Sequence, residues 1–418
     1  MIVTSYIVFV IFVTLYLSRC KELGGHKISN LSSYALLALV LITTRLALKR
    51  QIKKIRPVVG DYIFCFYICI SLISTIFSVY PSHSFKMLTK NLPIQIAVYI
   101  FIRTIMQHLE LKKQLFIWWI SLLLPVISPF IMKTNWLKPV GVFSHANAYA
   151  HFGMIFAILS LSLSTQNLIF LPFTIPGIYG LIETSSRMPF MALSSATIVT
   201  IVFSVAIIQE KRRVLKIAII FFTTLSILFT LAMKNPKMKN DLLRIFKNPQ
   251  KDGSAQIRLR IAHMCVKLFK EKPLTGWGYG RTTRMMLKDP SKLPWIKEYL
   301  KWMTKNFYEG KCHNSTLELA IQAGIVGLIY GIMLQLYPIW LLLLSLKKLK
   351  GRSISEIIIT ITPTIAMLAL SINMLTEVIL FSKRGLLLYS CLAFCANSEE
   401  LLKSPPPSPP PTSSSAPD

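Results

Sequence analysis

Acidic side chains are scarce in this chain. Seventeen Asp and Glu stand against 47 Lys and Arg in 418 residues, a formal net charge of +30. Charge of either sign is thin, at 15%, where a soluble domain carries about 25%. Seven cysteines are too few and too scattered for a disulfide framework. Cys65 and Cys69 share one apolar segment and Cys391 and Cys395 another, and both pairs read as small core residues. Cys265 and Cys312 fall in a long polar stretch and could pair if that stretch lies outside the cytosol. The seven histidines show no H-E-x-x-H spacing. His145 and His151 are six apart and do not share a helix face. P-loop, dinucleotide fingerprint and nucleophile elbow are all missing.

Apolar residues are plentiful, 53% of the chain with a mean hydropathy of +0.55, and they come in blocks. A bilayer core needs about 20 apolar residues per helix. Segments near 1–18, 31–48, 58–79, 92–106, 114–132, 146–164, 168–183, 188–208, 214–233, 315–346, 354–375 and 377–396 meet or approach that length. The first has neither a basic start nor a small-residue cleavage site, so it reads as a retained span. The expectation is an all-α polytopic membrane protein with about 12 transmembrane helices. Basic clusters follow the even-numbered spans: Lys49 to Arg56, Lys112 and Lys113, Lys211 to Arg213, and Lys347 to Arg352. By the positive-inside rule these loops and both termini face the cytoplasm. The expected division is 1–233 for spans one to nine, 234–312 for one long outer loop, 313–396 for spans ten to twelve and 397–418 for a disordered cytoplasmic tail. The Pro/Ser-rich run from Ser404 to Asp418 cannot pack a core.

The outer loop is basic, which long loops tolerate. Its balance suits anionic partners such as lipid headgroups and phosphates better than nucleic acid, because so much of the remaining charge is topological. Two amphipathic helices are predicted in it. Ile257, Ile261, Met264, Cys265, Leu268 and Phe269 recur at helical spacing, with Ser254 as N-cap and Pro273 as the stop. Trp295, Tyr299 and Trp302 mark a second helix over about 291–305, suited to the headgroup zone. Between them, Gly276-Trp277-Gly278-Tyr279-Gly280 predicts a flexible turn where backbone can approach a ligand closely.

Five groups then converge on the outer face. Arg187 lies between spans seven and eight. Arg258 and Arg260 open the first loop helix. His313, followed by Asn314, stands where the loop re-enters the membrane. Asn147 begins span six. Arginine holds a phosphate in two-point fashion where lysine offers a point charge, and a neutral imidazole can take a proton near neutral pH. Outer-side carboxylates (Glu183, Asp241, Asp252, Glu271, Asp289, Glu298 and Glu309) form no obvious pair or cation site.

These residues, in this order and on this topology, resemble the O-antigen ligase and O-antigen polymerase family of bacterial envelope glycosyltransferases. One match runs from Arg258 through the amphipathic helix to Pro273-Leu274-Thr275-Gly276-Trp277-Gly278. Another is His313-Asn314 followed by Glu318, Ala323-Gly324 and Gly327-Leu328, and a third is Ser186-Arg187. Lys311 stands where many members have the first His of His-x-His-Asn, and Arg260 has no firm counterpart. Glu377 resembles an acidic family position without an assigned role. The resemblance implies a GT-C-like membrane glycosyltransferase in the bacterial inner membrane, with a periplasmic site and no metal or cofactor. Its donor would be a glycan on undecaprenyl diphosphate and its acceptor the lipid A core oligosaccharide. It further implies an inverting transfer in which Arg187 and Arg258 hold the diphosphate and His313 handles the acceptor hydroxyl. Arg260, Asn147, Asn314, Gly276 and Gly278 are expected to line the substrate. A polymerase joining repeat units shares these motifs, and a lipid-linked glycan transporter stays open as a different class.

Overall fold

A lipid-facing backbone must pair its polar groups within its own segment, which favours the helix. The computed structural model describes residues 2–17, 22–23, 26–27, 55–131, 146–184, 186–207, 211–236, 238–240, 243, 253–280, 312–380 and 383–404. Apart from a two-residue antiparallel pairing of Glu22–Leu23 with His26–Lys27, its regular elements are helical. They are α1 (Ile2–Leu17), α2 (Val59–Ile76), α3 (Pro81–Thr104), α4 (Leu111–Ile131), α5 (Ala146–Ser164), α6 (Thr174–Glu183), α7 (Arg187–Ile207), α8 (Lys211–Lys234), α9 (Gly253–Glu271), α10 (Ser315–Lys348), α11 (Ile354–Met374) and α12 (Lys383–Lys403). Among the described residues six helices, α2, α4, α5, α7, α10 and α11, are long and apolar enough to cross a membrane. The expected second span at 31–48, the helix at 291–305 and the tail beyond Ser404 lie outside the described residues.

Successive helices run up and down. The ends at Phe77, Asn147, Glu183, Arg187, Ser315 and Met374 gather on one side, hereafter the site end. The opposite end carries Lys112, Lys113, Lys211 to Arg213, Lys347 and Lys348. Helix α5 is buried nearly all round, with Tyr149, His151, Phe152 and Phe156 each at 1% exposure or less. It presses on α6 so closely that a Cβ on Gly177 would stand 2.5 Å from the Gly153 carbonyl oxygen, the small-residue contact that lets apolar helices approach. Helix α8, by contrast, leaves Leu215, Ile219, Phe222, Ile227 and Phe229 exposed, as a lipid-facing helix must.

Three boundaries differ from expectation. Helix α3 starts at Pro81 rather than near 92, because Lys86, Thr89, Lys90 and Asn91 lower its hydropathy without breaking the helix. Pro81 sits comfortably at its start, and the internal Pro93 is carried by neighbouring structure. Helix α12 begins at Lys383, so Glu377 belongs to the turn before it. The same helix runs on to Lys403, seven residues past the expected end at 396. Its last turns are polar yet buried. Asn397 donates to Gln114 Oε1 at 2.8 Å. Glu399, fully buried, accepts from Val59 N at 2.9 Å, Gly60 N at 3.2 Å and the Tyr337 hydroxyl at 2.8 Å. Arg103, 2% exposed, meets Asp61 at 2.8 Å and Glu400 at 3.1 Å. A hydropathy pattern cannot show such pairing, so these polar turns read as tail.

The largest departure from helical regularity is inside α10. Ala323 (φ −129°, ψ 15°) and Gly324 (φ 66°, ψ −147°) are not helical, so the element is a short helix ending at Gln322 and a long one resuming at Ile325. The break frees carbonyls that a bilayer cannot hydrate. The loop after α9 pairs them: Trp277 N donates to Ile321 O at 2.7 Å, Gly278 N to Gln322 O at 3.0 Å, and Ile325 N donates to Pro273 O at 2.7 Å. A Cβ on Gly324 would lie 2.4 Å from the Leu274 and Pro273 oxygens. Gly324→Ala is therefore expected to lower thermal stability in detergent far more than Gly351→Ala. Gly351 also has positive φ, 84°, but nothing lies within 4 Å of its added Cβ, so its loss costs only the backbone strain of about 1–2 kcal/mol. Equal melting shifts for the two variants would show that loop docking on the break is dispensable.

Candidate functional site

The break in α10 positions what lies on either side of it. Helix α9 turns an apolar face inward: Ile261, Met264, Cys265 and Leu268, with Trp277 of the following loop, pack on Ile321 of α10 and on Cys312. Its apolar stripe is thus buried against protein. Trp277 Nε1 donates to Leu268 O at 2.8 Å, and Lys272 Nζ stands 5.1 Å from the centre of its ring. Cys265 and Cys312 form a disulfide, with Cα atoms 6.1 Å apart. The bond ties the middle of α9 to the residue before His313.

His313 takes a left-handed backbone, φ 51°, a conformation that costs a residue with a Cβ about 1 kcal/mol or more and invites a functional question. Both flanks hold it there. Cys312 is covalently fixed, and its amide donates to Glu318 Oε2 at 3.0 Å. Asn314 caps α10, its side chain accepting from Leu317 N at 2.9 Å and donating to Leu375 O at 3.0 Å. Glu318 Oε1 accepts from Gln322 Nε2 at 3.1 Å, and Gln322 Oε1 accepts from Gly280 N at 3.1 Å. One chain of polar contacts therefore links the glycine loop to the histidine turn.

The carboxylate of Glu377 gathers the rest. It is 6% exposed. Its Oε1 accepts from Asn147 Nδ2 at 3.0 Å and lies 3.7 Å from a guanidinium nitrogen of Arg258. Asn147 Oδ1 in turn accepts from the Ser186 hydroxyl at 3.2 Å, and Ser186 accepts from Thr184 at 2.9 Å. Ser315 Oγ donates to the Glu377 carbonyl at 2.7 Å and accepts from Ile379 N at 3.1 Å. Arg187 follows Ser186 directly as the first residue of α7 and is half-buried. The starts of α5, α7, α9 and α10 and the turn before α12 are thereby fastened to one another at the site end.

Each expected residue has a definite place. Asn147 and Arg258 meet Glu377, Ser186 reaches Asn147 with Arg187 next to it in sequence, and His313 stands two residues before Ser315, which holds the Glu377 backbone. Arg260 separates from Arg258: two steps along a helix rotate a side chain by about 200°, and Arg260 lies on the exposed face. The glycines meet other parts of the chain. Gly276 (φ 67°) and Gly278 (φ 114°) are buried, and an added Cβ would meet the Gln322 backbone at 2.4 Å and Ser78 Oγ at 2.0 Å. Their close approach is to the protein's own chain. Asn314 likewise spends its side chain on a cap and a neighbouring turn. Glu377 was the residue without a role, because a single carboxylate at a span end has no partner that spacing can reveal.

Among the described residues no three His, Cys, Asp or Glu side chains gather as they would around a metal ion. Fold and site together define a multi-pass membrane protein, helical over nearly all its described residues, with a polar cluster at one end of its bundle. Residues 172–332 match the family model described as O-antigen ligase. The matched segment contains Arg187, Arg258, Arg260 and His313, whereas Asn147 and Glu377 lie outside it. No curated protein matches the chain.

The disulfide gives a direct check. Digestion without reductant should yield a peptide pair joining Cys265 to Cys312, while Cys65, Cys69, Cys391 and Cys395, which are free thiols, take up maleimide after denaturation. Labelling of all six without reductant would break the link between α9 and the histidine turn.

Proposed function

We propose that this chain transfers a glycan from undecaprenyl diphosphate to the lipid A core oligosaccharide at the periplasmic face of the inner membrane. The observation that carries this reading is the meeting of Arg258 and Asn147 on Glu377, with Ser186, the residue before Arg187, bonded to Asn147, in a fold whose segment 172–332 matches the O-antigen ligase model. The Cys265–Cys312 disulfide supports an extracytoplasmic site end, since such bonds persist in oxidising compartments. The basic groups at the opposite end support a cytoplasmic face there. In this reading the chain has about twelve spans and both termini inside.

In the proposed reaction the bond between the sugar's anomeric carbon and the diphosphate oxygen breaks as an acceptor hydroxyl oxygen bonds to that carbon from the opposite side. The acceptor's proton passes to His313 and the diphosphate leaves with the negative charge. Arg187 and Arg258 stabilise that charge, which grows in the transition state, so their contacts favour it over the ground state. Removing one such preorganised donor typically costs about 2.7–4 kcal/mol, and a positioned base contributes roughly 10²–10⁴-fold. Glu377 holds Arg258 and Asn147 in place as a positioning residue. The reaction as written requires neither nucleotide nor metal, so transfer should continue in EDTA.

The test is an assay in proteoliposomes with undecaprenyl-diphosphate glycan, offering lipid A core and a second donor as alternative acceptors. Product on lipid A core is expected; lengthened donor would assign a polymerase, and no product would favour a transporter. His313→Ala should lower transfer at least a hundredfold at unchanged membrane level, and Arg187→Lys should lose most activity although its charge remains. Wild-type rates in either variant would remove that residue from the mechanism. For Glu377→Ala the measurement is a double-mutant cycle with Arg258→Ala. If the carboxylate acts through the arginine, the double variant should be little worse than either single one, and strictly additive losses would separate them.

A further inference from the structure

The site end accounts for a substrate's anionic head and leaves its lipid portion unplaced. Between α8 and α6, together with the 3₁₀ segment Leu168–Phe173 that leads into α6, lies a cavity of about 1120 Å³. Its α8 wall is Ile219, Thr223, Ile227, Leu231 and Lys234, spaced by four and then three residues and so a single stripe of the helix. From 219 to 234 is 15 steps, or about 22 Å along the axis at 1.5 Å per residue. The space is long, narrow in sequence terms and open to lipid, since Ile175, Ile219 and Ile227 are each more than half exposed.

Polarity in this groove is one-sided. Its charged lining groups, Glu183 and Lys234, stand with Asn235 at the site end, while Leu168, Leu171 and Pro172 line the far end. Glu183, at this polar mouth, is four residues before Arg187, the first residue of α7. A soluble ligand would find almost no hydrogen-bonding partner along the walls. An ordinary phospholipid fits the length poorly: half of a roughly 30 Å hydrocarbon core is about 15 Å, shorter than the stripe, and its acyl chains stop near the midplane. The occupant called for is a single linear apolar chain that continues past the midplane from an anionic head at the outer surface.

Resting on the donor reading above, we propose that this groove between α6 and α8 holds the polyisoprenoid chain of the diphosphate-linked donor, with its head at Arg187. The groove then sets chain-length selectivity. Short-chain donors reach the arginines without filling the far half, and long-chain donors gain the apolar contacts along both walls.

The test uses the full-length protein in proteoliposomes with one glycan diphosphate carried on either an undecaprenyl or a geranyl chain. The variants are Ile175→Trp and Ile227→Trp. Both positions are exposed enough to accept a larger ring without disturbing the core, and monodispersity serves as the folding check. Wild-type protein should show a lower KM for the undecaprenyl donor. Each variant should raise that KM about tenfold, equivalent to roughly 1.4 kcal/mol, and leave the geranyl KM unchanged. Equal changes with both donors, or none with either, overturn the groove assignment. If wild-type protein transfers from neither donor, the donor reading fails by itself, and binding decides the groove. A diazirine-bearing undecaprenyl diphosphate without glycan should then crosslink to peptides spanning 171–182 and 219–231. Competition should come from unlabelled undecaprenyl phosphate and not from phosphatidylethanolamine. Crosslinks confined to other helices, or loss of signal to the phospholipid, overturn it.

Discussion

A helix broken inside a membrane must find partners for the carbonyls it releases, and in this protein that requirement organises the site end. The break at Ala323-Gly324 exposes Ile321 O and Gln322 O; the loop from Pro273 to Gly280 donates to both, and the Ser74 hydroxyl also donates to Gln322 O. Because that loop is the continuation of α9, pairing it to α10 fixes where α9 lies. The disulfide adds a second attachment from the middle of the same helix to the residue preceding His313. Two constraints of different chemistry thus hold the arginine-bearing helix and the histidine turn relative to each other.

The spacing of glycines has the same origin. A turn that docks edge-on against an unwound helix needs positive φ and no Cβ where the two backbones meet. Gly276 faces Gln322 and Gly324 faces Leu274, so each supplies what the other's close approach demands. The motif that reads in sequence as a ligand-cradling loop is, in the folded chain, the pairing surface for a broken helix. What it fixes is the placement of α9, the helix that bears Arg258.

Much of the architecture was legible in the chain. Apolar blocks gave the helices, and lysine and arginine clusters marked one end of the bundle. The order Ser186-Arg187, Arg258, His313 pointed to the family that the match over 172–332 bears out. What escaped was pairing at a distance. Glu377 meets Asn147 across 230 positions of sequence, and no periodicity relates the two. The polar turns at Asn397 and Glu399 read as tail because hydropathy counts a buried, fully bonded carboxylate as a solvated one. The apolar stripe of α9 was visible, but amphipathicity alone does not say whether lipid or protein covers it.

A buried carboxylate beside residues proposed to hold a diphosphate looks at first like the wrong charge in the wrong place. The arrangement is reasonable once the cost of ordering is included. An arginine left to find a phosphate for itself loses rotamer freedom at the moment of binding, on the order of 1.5–2 kcal/mol. Tethered beforehand, at 3.7 Å from Glu377 and on a helix locked by a disulfide, Arg258 has surrendered much of that freedom on folding. Its guanidinium still has donors to offer, because the fork carries five N–H groups and one carboxylate oxygen uses few of them. The carboxylate is also shared with Asn147, which dilutes its hold on the arginine. An incoming diphosphate, with more charge and more acceptor oxygens, therefore competes well for the unused donors. Glu377 thereby exchanges some electrostatic attraction for a fixed geometry, the term that preorganised sites depend on most.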